Sequence, residues 1–343
     1  MFKTYLFILG FFLSSSFYAA GQDQKLTIER IRYFYYLKSQ LANRNWPGFG
    51  LPRYDVTLAY FTKNQTYLID PTGLVKSRRT VSSIYDDGKI RIGKTSRLDT
   101  VAFHMATAYE DRQQDILWYH NPIMLCSDLE TTRNYVSEVP DIQTWATMVM
   151  HEYFHGFQFR HPAFLRFAND SISISNSRLQ SYYDSYPWFK ESVEKENELL
   201  LKCLKEHDFY KIKSLIKKYI SMRNLRLKQF KEQEKFELDS QEDFLEKMEG
   251  SARYMEYQLY LAFKRLPTEK TLASMDTAYK MNAYKHFQIE DKQWMYESNS
   301  IKYFYSTGFN ILRLLDKLHV NYKQHFFDNN SLTPNQLVAN FVK

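Results

Sequence analysis

The stretch of sequence with the clearest chemical potential is "HEYFH", residues 151–155. His151 and His155 are four positions apart, so on an α-helix both imidazoles project from one face and can bind one metal ion. Glu152 is rotated by about 100° from His151 and can reach a water on that ion. A zinc hydrolase requires these groups, so the motif predicts His151 and His155 as zinc ligands and Glu152 as a general base.

The residues around this motif favour a metal site over structural histidines and a surface glutamate. The motif lies within the apolar stretch "WATMVMHEYFHGF", residues 145–157. Burying two histidines and a glutamate there without a shared ion would leave costly unpaired polar groups. A catalytic zinc also needs a third protein ligand and one open position, and the sequence offers His161 and Glu249 as candidates for that ligand.

His161 is the nearer candidate, because the spacing of the three histidines resembles the metzincin signature. That signature has a glycine where this chain has Gln158, and the glycine lets the helix break so that the last histidine turns back. If the helix continues, the six residues from His155 to His161 add a rotation of about 600°, which places His161 about 120° away from the metal face. We therefore expect His161 at the helix end beside Pro162, where its imidazole can meet free carbonyls.

Glu249 lies in "EKMEGSARYMEYQLYLAF", which resembles the downstream glutamate helix of gluzincin metallopeptidases, the thermolysin and aminopeptidase-like group. The resemblance covers "MHEYFHGFQ" and "EGSARYMEYQ", and it extends more weakly to "YFYSTGFNILRLLDKL". It implies a zincin-like fold with His151, His155 and Glu249 as zinc ligands and Glu152 as general base. Gly250 and Ser251 would leave room for a neighbouring helix to approach, which also favours Glu249.

The chain departs from the gluzincin pattern at two points. The thermolysin pattern has an aspartate four residues after the ligand glutamate, where this chain has Arg253, and the glycine–any–methionine–glutamate–asparagine motif of aminopeptidases is missing. Glu256 also competes with Glu249, because the two lie on nearly the same helix face. They are about 10.5 Å apart along the axis, so only one of them can bind the metal directly. Glu256 either orients a ligand histidine or forms an ordinary ion pair with Arg253 or a lysine.

The resemblance implies a peptidase mechanism. Zinc lowers the pKa of its water to about 7 and polarises the scissile carbonyl, while Glu152 transfers the water proton to the leaving amine. A donor for the oxyanion is also needed, and Tyr305 is our first choice, with Tyr303 and Tyr254 as reserves. Two alternatives stay open: a catalytically silent zincin-like domain that binds peptides or another ligand, and a metzincin-like peptidase that uses His161.

The elements that would position these residues change in character along the chain. The N-terminal part carries short β-prone runs and turn signals such as "DDGK", so we expect a helix in "LTIERIRYFYYLKSQLANRN" and then a small, mostly antiparallel sheet. A later run, "HNPIMLCSD", is a candidate edge strand for a substrate backbone, and His104 and His120 are expected to be ordinary surface or core residues. The predicted strands are "DVTLAYF", "QTYLID", "KIRIG" and "TVAFHMATAY".

After residue 140 the pattern becomes helical. Asp141 is a plausible N-cap for a helix that begins near Ile142, carries the histidines and ends at Pro162. Charged segments with helical periodicity at about 188–248 predict a helical hairpin inserted into the domain, most simply as a solvated pair of helices. We therefore predict an α+β chain, with an N-terminal part with a small sheet at 22–140 and a helical zincin-like catalytic part at 141–343.

Composition bounds the location and partners. The first 21 residues have a basic start, a short apolar run and small residues near a cleavage point, which predicts a signal peptide and a secreted or periplasmic protein without a transmembrane segment. The 46 basic and 39 acidic residues are intermixed, so a nucleic-acid groove is not indicated and a peptide or protein substrate is expected. Cys126 and Cys203 allow one disulfide in an oxidising compartment.

Overall fold

The computed structural model describes residues 3–42, 44–69, 76–77, 81–108, 117–118, 122–300 and 302–343, without the side chains of residues 3–21, 76–77, 117–118 and 176. The predicted signal peptide falls where side chains are not described, and His120 lies outside the described residues. The chain is α+β, as predicted, with one long N-terminal helix, then the strands, and then the remaining helices. The strands are β1 (Thr57–Phe61), β2 (Gln65–Ile69), β3 (Lys76–Ser77), β4 (Ser82–Asp86), β5 (Arg91–Ser96), β6 (Met105–Ala108), β7 (Leu117–Trp118) and β8 (Ile123–Ser127).

Six strands form one mixed sheet in the order β4-β5-β2-β1-β8-β6, while β3 pairs with β7 separately. Every neighbouring pair in the larger sheet is antiparallel except β1 with β8, so the prediction of a mostly antiparallel sheet is confirmed. The prediction that "HNPIMLCSD" supplies an edge strand is wrong. Its strand β8 lies inside the sheet between β1 and β6, and β6 forms the edge.

Helices account for most of the chain after β8. Among the described residues, no helix is long and apolar enough to cross a bilayer. The helices are α1 (Lys3–Leu41), α2 (Leu129–Tyr135), α3 (Ile142–Phe159), α4 (Pro162–Ser171), α5 (Asn176–Ser185), α6 (Pro187–Lys205), α7 (Phe209–Glu234), α8 (Asp239–Phe263), α9 (Lys270–Met275), α10 (Gln293–Tyr296), α11 (Tyr303–Lys317) and α12 (Pro334–Val342).

The histidine helix α3 is buried along almost its whole length. It begins as predicted, because the side chain of Asp141 caps it by accepting a hydrogen bond from the backbone N–H of Thr144. It packs between the sheet edge β6 on one side and α8 on the other. Met148 and Glu152 are the two partly exposed residues of this helix, and Glu152 is its one acidic residue.

Helices α8 and α11 approach each other closely beside Glu249. A Cβ added to Gly250 would lie 2.5 Å from the backbone carbonyl carbon of Gly308, and one added to Gly308 would overlap the backbone of Glu246. Only glycine therefore fits at this crossing without displacing one of the helices. The expected approach of a neighbouring helix at Gly250 is confirmed, and it brings α11, with Tyr305, against the helix that carries Glu249.

The predicted charged hairpin corresponds to α6 and α7, which are joined by a three-residue turn, and α8 begins inside the predicted range at Asp239. The pair is more than a solvated flank. Arg226 of α7 is buried and forms ion pairs with Glu196 of α6 at 2.7 Å and Glu242 of α8 at 2.6 Å. These pairs lock the hairpin to α8, which is the helix of the candidate site. Cys126 and Cys203 are both buried and unpaired.

Candidate metal centre

Helices α3 and α8 bring two histidines and a glutamate together in the interior. The Nε2 atoms of His151 and His155 lie 3.1 Å and 3.2 Å from the same oxygen of Glu249, Oε2. Candidate ligand atoms of the three residues all lie within 4.8 Å of one another, and all three side chains are buried. Two imidazole nitrogens and one carboxylate oxygen converging on one point form a donor set that suits Zn²⁺ and leaves a position open.

The charges of this cluster are strongly coupled. Burial alone would raise the pKa of Glu249, but the imidazoles of His155 and His151 outweigh it and hold that pKa well below its ordinary value. Burial alone would lower the pKa of His151, yet Glu256 and Glu249 raise it to about 10. The pKa of His155 is raised by Glu249 against the same burial effect. The negative charge of these carboxylates therefore favours a positive charge at the two buried histidines, which either a proton or a metal ion can supply.

Each histidine of the cluster has a different partner at its Nδ1 atom. Glu256 contacts Nδ1 of His151 through Oε1, which favours the orienting role over an ordinary pair with Arg253 or a lysine. Gln158 accepts from Nδ1 of His155 at 2.8 Å. The amide of Gln158 also donates to the backbone carbonyl of Met248 at 2.8 Å, so the same side chain ties α3 to the turn of α8 that carries Glu249. In both rings Nε2 is left to face the centre of the cluster.

Glu152 lies between α3 and the sheet edge. The backbone N–H of Thr107, on β6, donates to Oε2 of Glu152 at 3.2 Å, and the hydroxyl of Thr107 donates to the backbone carbonyl of Glu152. Burial raises the pKa of the Glu152 carboxyl, while His155 and His151 lower it to a smaller extent. A raised pKa makes this carboxylate a stronger base than an ordinary glutamate, which suits a proton-transfer role beside two metal-ligand candidates.

Tyr305 is the candidate tyrosine that reaches this cluster. Its ring stacks on that of His151 with centroids 5.8 Å apart, and burial together with the charge and hydrogen bonding of Glu249 raises its pKa. The guanidinium of Arg253 lies 4.6 Å from the centroid of the same ring. The two reserve tyrosines point elsewhere, since the hydroxyl of Tyr303 donates to Glu242 and that of Tyr254 donates to Asp316.

His161 stands outside the cluster. Helix α3 ends at Phe159, and His161 is the N-cap residue of α4. The expectation that its imidazole meets free carbonyls is wrong, because Nδ1 lies 2.8 Å from Oδ1 of Asp328 and the ring stacks on Tyr54 with centroids 4.4 Å apart. A carboxylate and a facing aromatic ring hold it better than solvated carbonyls would. His104 is half-buried, and its Nε2 lies 3.1 Å from Oδ1 of Asp99.

Two contributors to the site were not identified from the sequence. From the sequence, Gln158 was noted only because it stands where the metzincin signature has a glycine. Its position three residues after His155 nevertheless puts it within reach of that ring on a helix. Thr107 gave no signal, because its contact with Glu152 depends on which strand forms the sheet edge. The chain matches no protein-family model, and comparison with curated proteins and with solved structures finds no similar chain.

Proposed function

We propose that the protein is a secreted or periplasmic zinc-dependent peptidase with a zincin-like catalytic part of the gluzincin type. The observation that carries this proposal is the convergence of His151, His155 and Glu249 on one buried point, with Glu152 beside it at the accessible side of α3. The donor set fits zinc, and the second nitrogen of each imidazole has its own partner, as is usual for metal-bound histidines.

Different residues of the chain would have different roles in peptide hydrolysis. Zinc held by the three ligands would supply a water of pKa about 7 and a positive charge that polarises the scissile carbonyl. Glu152 takes a proton from the attacking water and delivers it to the leaving amine, which its raised pKa favours. The Tyr305 hydroxyl, with a pKa raised above its usual value, keeps its proton at neutral pH and donates to the oxyanion.

The test is peptide digestion by the purified protein and by Glu152→Gln, with zinc content measured on both. We expect the substitution to retain stoichiometric zinc, because Glu152 is not a ligand, and to reduce cleavage by about 10²–10⁴-fold. Glu198→Gln, at an exposed glutamate of α6, is the matched control and should cleave normally. A zinc-loaded wild-type protein that cleaves no peptide in a broad library would overturn the peptidase proposal and favour a silent zincin-like binding domain.

A further inference from the structure

A cavity of about 280 Å³ opens directly beside the candidate metal centre. Glu249, Tyr305 and Lys302 all line it, and of these Glu249 is buried while Lys302 is exposed. Its volume is at the lower limit of sites that enclose a whole small molecule, about 300–1,000 Å³, and it can hold one side chain of a longer ligand. The remaining walls are mainly apolar and come from Ile172, Ile174, Leu179, Leu245, Met248 and Phe304.

The wall of this cavity is fixed in place before any ligand arrives. Gln241 of α8 accepts from the backbone N–H groups of Ser173 and Ile174 at 3.1 Å each and donates to the carbonyl of Ile174 at 3.0 Å. These three hydrogen bonds tie the segment between α4 and α5 to the helix that carries Glu249. A preformed apolar cavity selects apolar side chains, because filling it removes apolar surface from water without a cost for ordering the wall.

Lys302 adds one positive charge to a cavity whose walls are mainly apolar. The residue is exposed, and its ammonium pairs with no carboxylate among the residues that the structure describes. Its Nζ lies 5.9 Å from the ring centroid of Tyr305, which itself lies 5.8 Å from that of His151. The ammonium is therefore within about 12 Å of the histidine ring, a span of about three extended residues at 3.3–3.6 Å each.

We propose that this cavity and Lys302 together recognise the carboxyl terminus of a peptide, with an apolar side chain in the cavity and the free α-carboxylate on the Lys302 ammonium. The inference rests on the proposed peptidase function and narrows it. The enzyme then cleaves within about three residues of the carboxyl terminus and releases short apolar fragments. The balance of the reaction is ordinary hydrolysis, in which water adds across the peptide bond and yields a new carboxylate and a free amine.

The test uses two peptides of one sequence with leucine at the end, one with a free carboxyl terminus and one amidated. Binding is measured by calorimetry on zinc-loaded Glu152→Gln, and cleavage by mass spectrometry on the wild type. We expect the free acid to bind about three- to tenfold more tightly than the amide, since a partly exposed ion pair contributes modestly. Lys302→Met in the Glu152→Gln background should remove this preference, and Lys302→Glu should reverse it.

Lys228→Met is the matched control, because Lys228 is an exposed lysine of α7 that pairs with Glu232 at 3.8 Å. It should keep the preference for the free acid. Equal binding of acid and amide by Glu152→Gln, or cleavage at internal bonds regardless of the terminus, would overturn the carboxyl-terminal recognition while leaving a peptidase. A preference for the acid without any cleavage by the wild type would support the recognition and refute the proposed hydrolysis.

Discussion

Gln158 offers the sharpest perturbation of the metal centre that leaves every proposed ligand in place. Its side chain accepts from His155 Nδ1 and donates to the Met248 carbonyl and to the Ser251 hydroxyl, each at 2.8 Å. Gln158→Ala removes all three hydrogen bonds in a fully buried position. At about 0.5–1.5 kcal/mol for each, the free energy of unfolding should fall by about 1.5–4.5 kcal/mol. Zinc affinity should fall by about 10–100-fold, because His155 loses the partner that fixes its ring.

The two effects can be separated by measurement. Zinc affinity is read by competition with a chromophoric chelator, and stability by urea denaturation of the chelated protein. Gln158→Glu keeps an acceptor for His155 but cannot donate to the Met248 carbonyl, so it should lose stability and keep zinc affinity within about threefold. Gln229→Ala, at an exposed position of α7, is the control and should change neither. Wild-type zinc affinity in Gln158→Ala would refute the reasoning that Gln158 positions a ligand.

Three further predictions concern the neighbouring helices. Gly250→Ala should lower the free energy of unfolding, measured by urea denaturation, by about 1–3 kcal/mol, because the added Cβ would lie 2.5 Å from the Gly308 backbone. Unchanged stability would show that the two helices separate easily. Tyr305→Phe should reduce kcat by about 10²–10³-fold. The control Tyr210→Phe, at an exposed tyrosine, should leave kcat unchanged. Wild-type kcat in Tyr305→Phe would remove Tyr305 from the mechanism. Burial lowers the pKa of Lys247 to about 7. Between that value and the unfolded pKa of about 10.4, the unfolded chain holds a proton that the folded chain has lost, so this lysine makes stability rise with pH. Wild type should therefore gain roughly 3 kcal/mol more than Lys247→Met between about pH 6.5 and about pH 9.5, and equal gains would contradict the lowered pKa.

Local signals predicted the elements of the site well. Asp141 before an apolar helical stretch predicted the start of α3, and helical periodicity placed His151 and His155 on one face with Glu152 beside them. Periodicity also predicted that only one of Glu249 and Glu256 could meet the centre. These features depend on helix geometry within one segment, and the sequence carries that geometry directly.

Features set by contacts between distant segments could not be predicted in the same way. The sequence of β8 is compatible with an edge strand, but in the structure β6 pairs with its outer side. The alternation of apolar and polar residues along one strand does not determine the order of strands in a sheet. Arg226 looks like a solvated residue because its partner Glu242 lies on another helix. His161 was disfavoured as a ligand on the assumption of a continuous helix. In the structure α3 ends at Phe159, and the His161 imidazole instead contacts Asp328.

The metal content of three proteins tests the central claim most directly. Wild type, Glu249→Gln and His161→Asn would each be dialysed against limiting zinc and analysed by elemental mass spectrometry. We predict one zinc per chain for wild type and His161→Asn, and loss of zinc from Glu249→Gln, because Glu249, and not His161, shares the buried point with His151 and His155. A zinc-free wild type, or zinc retained by Glu249→Gln and lost from His161→Asn, would contradict this assignment.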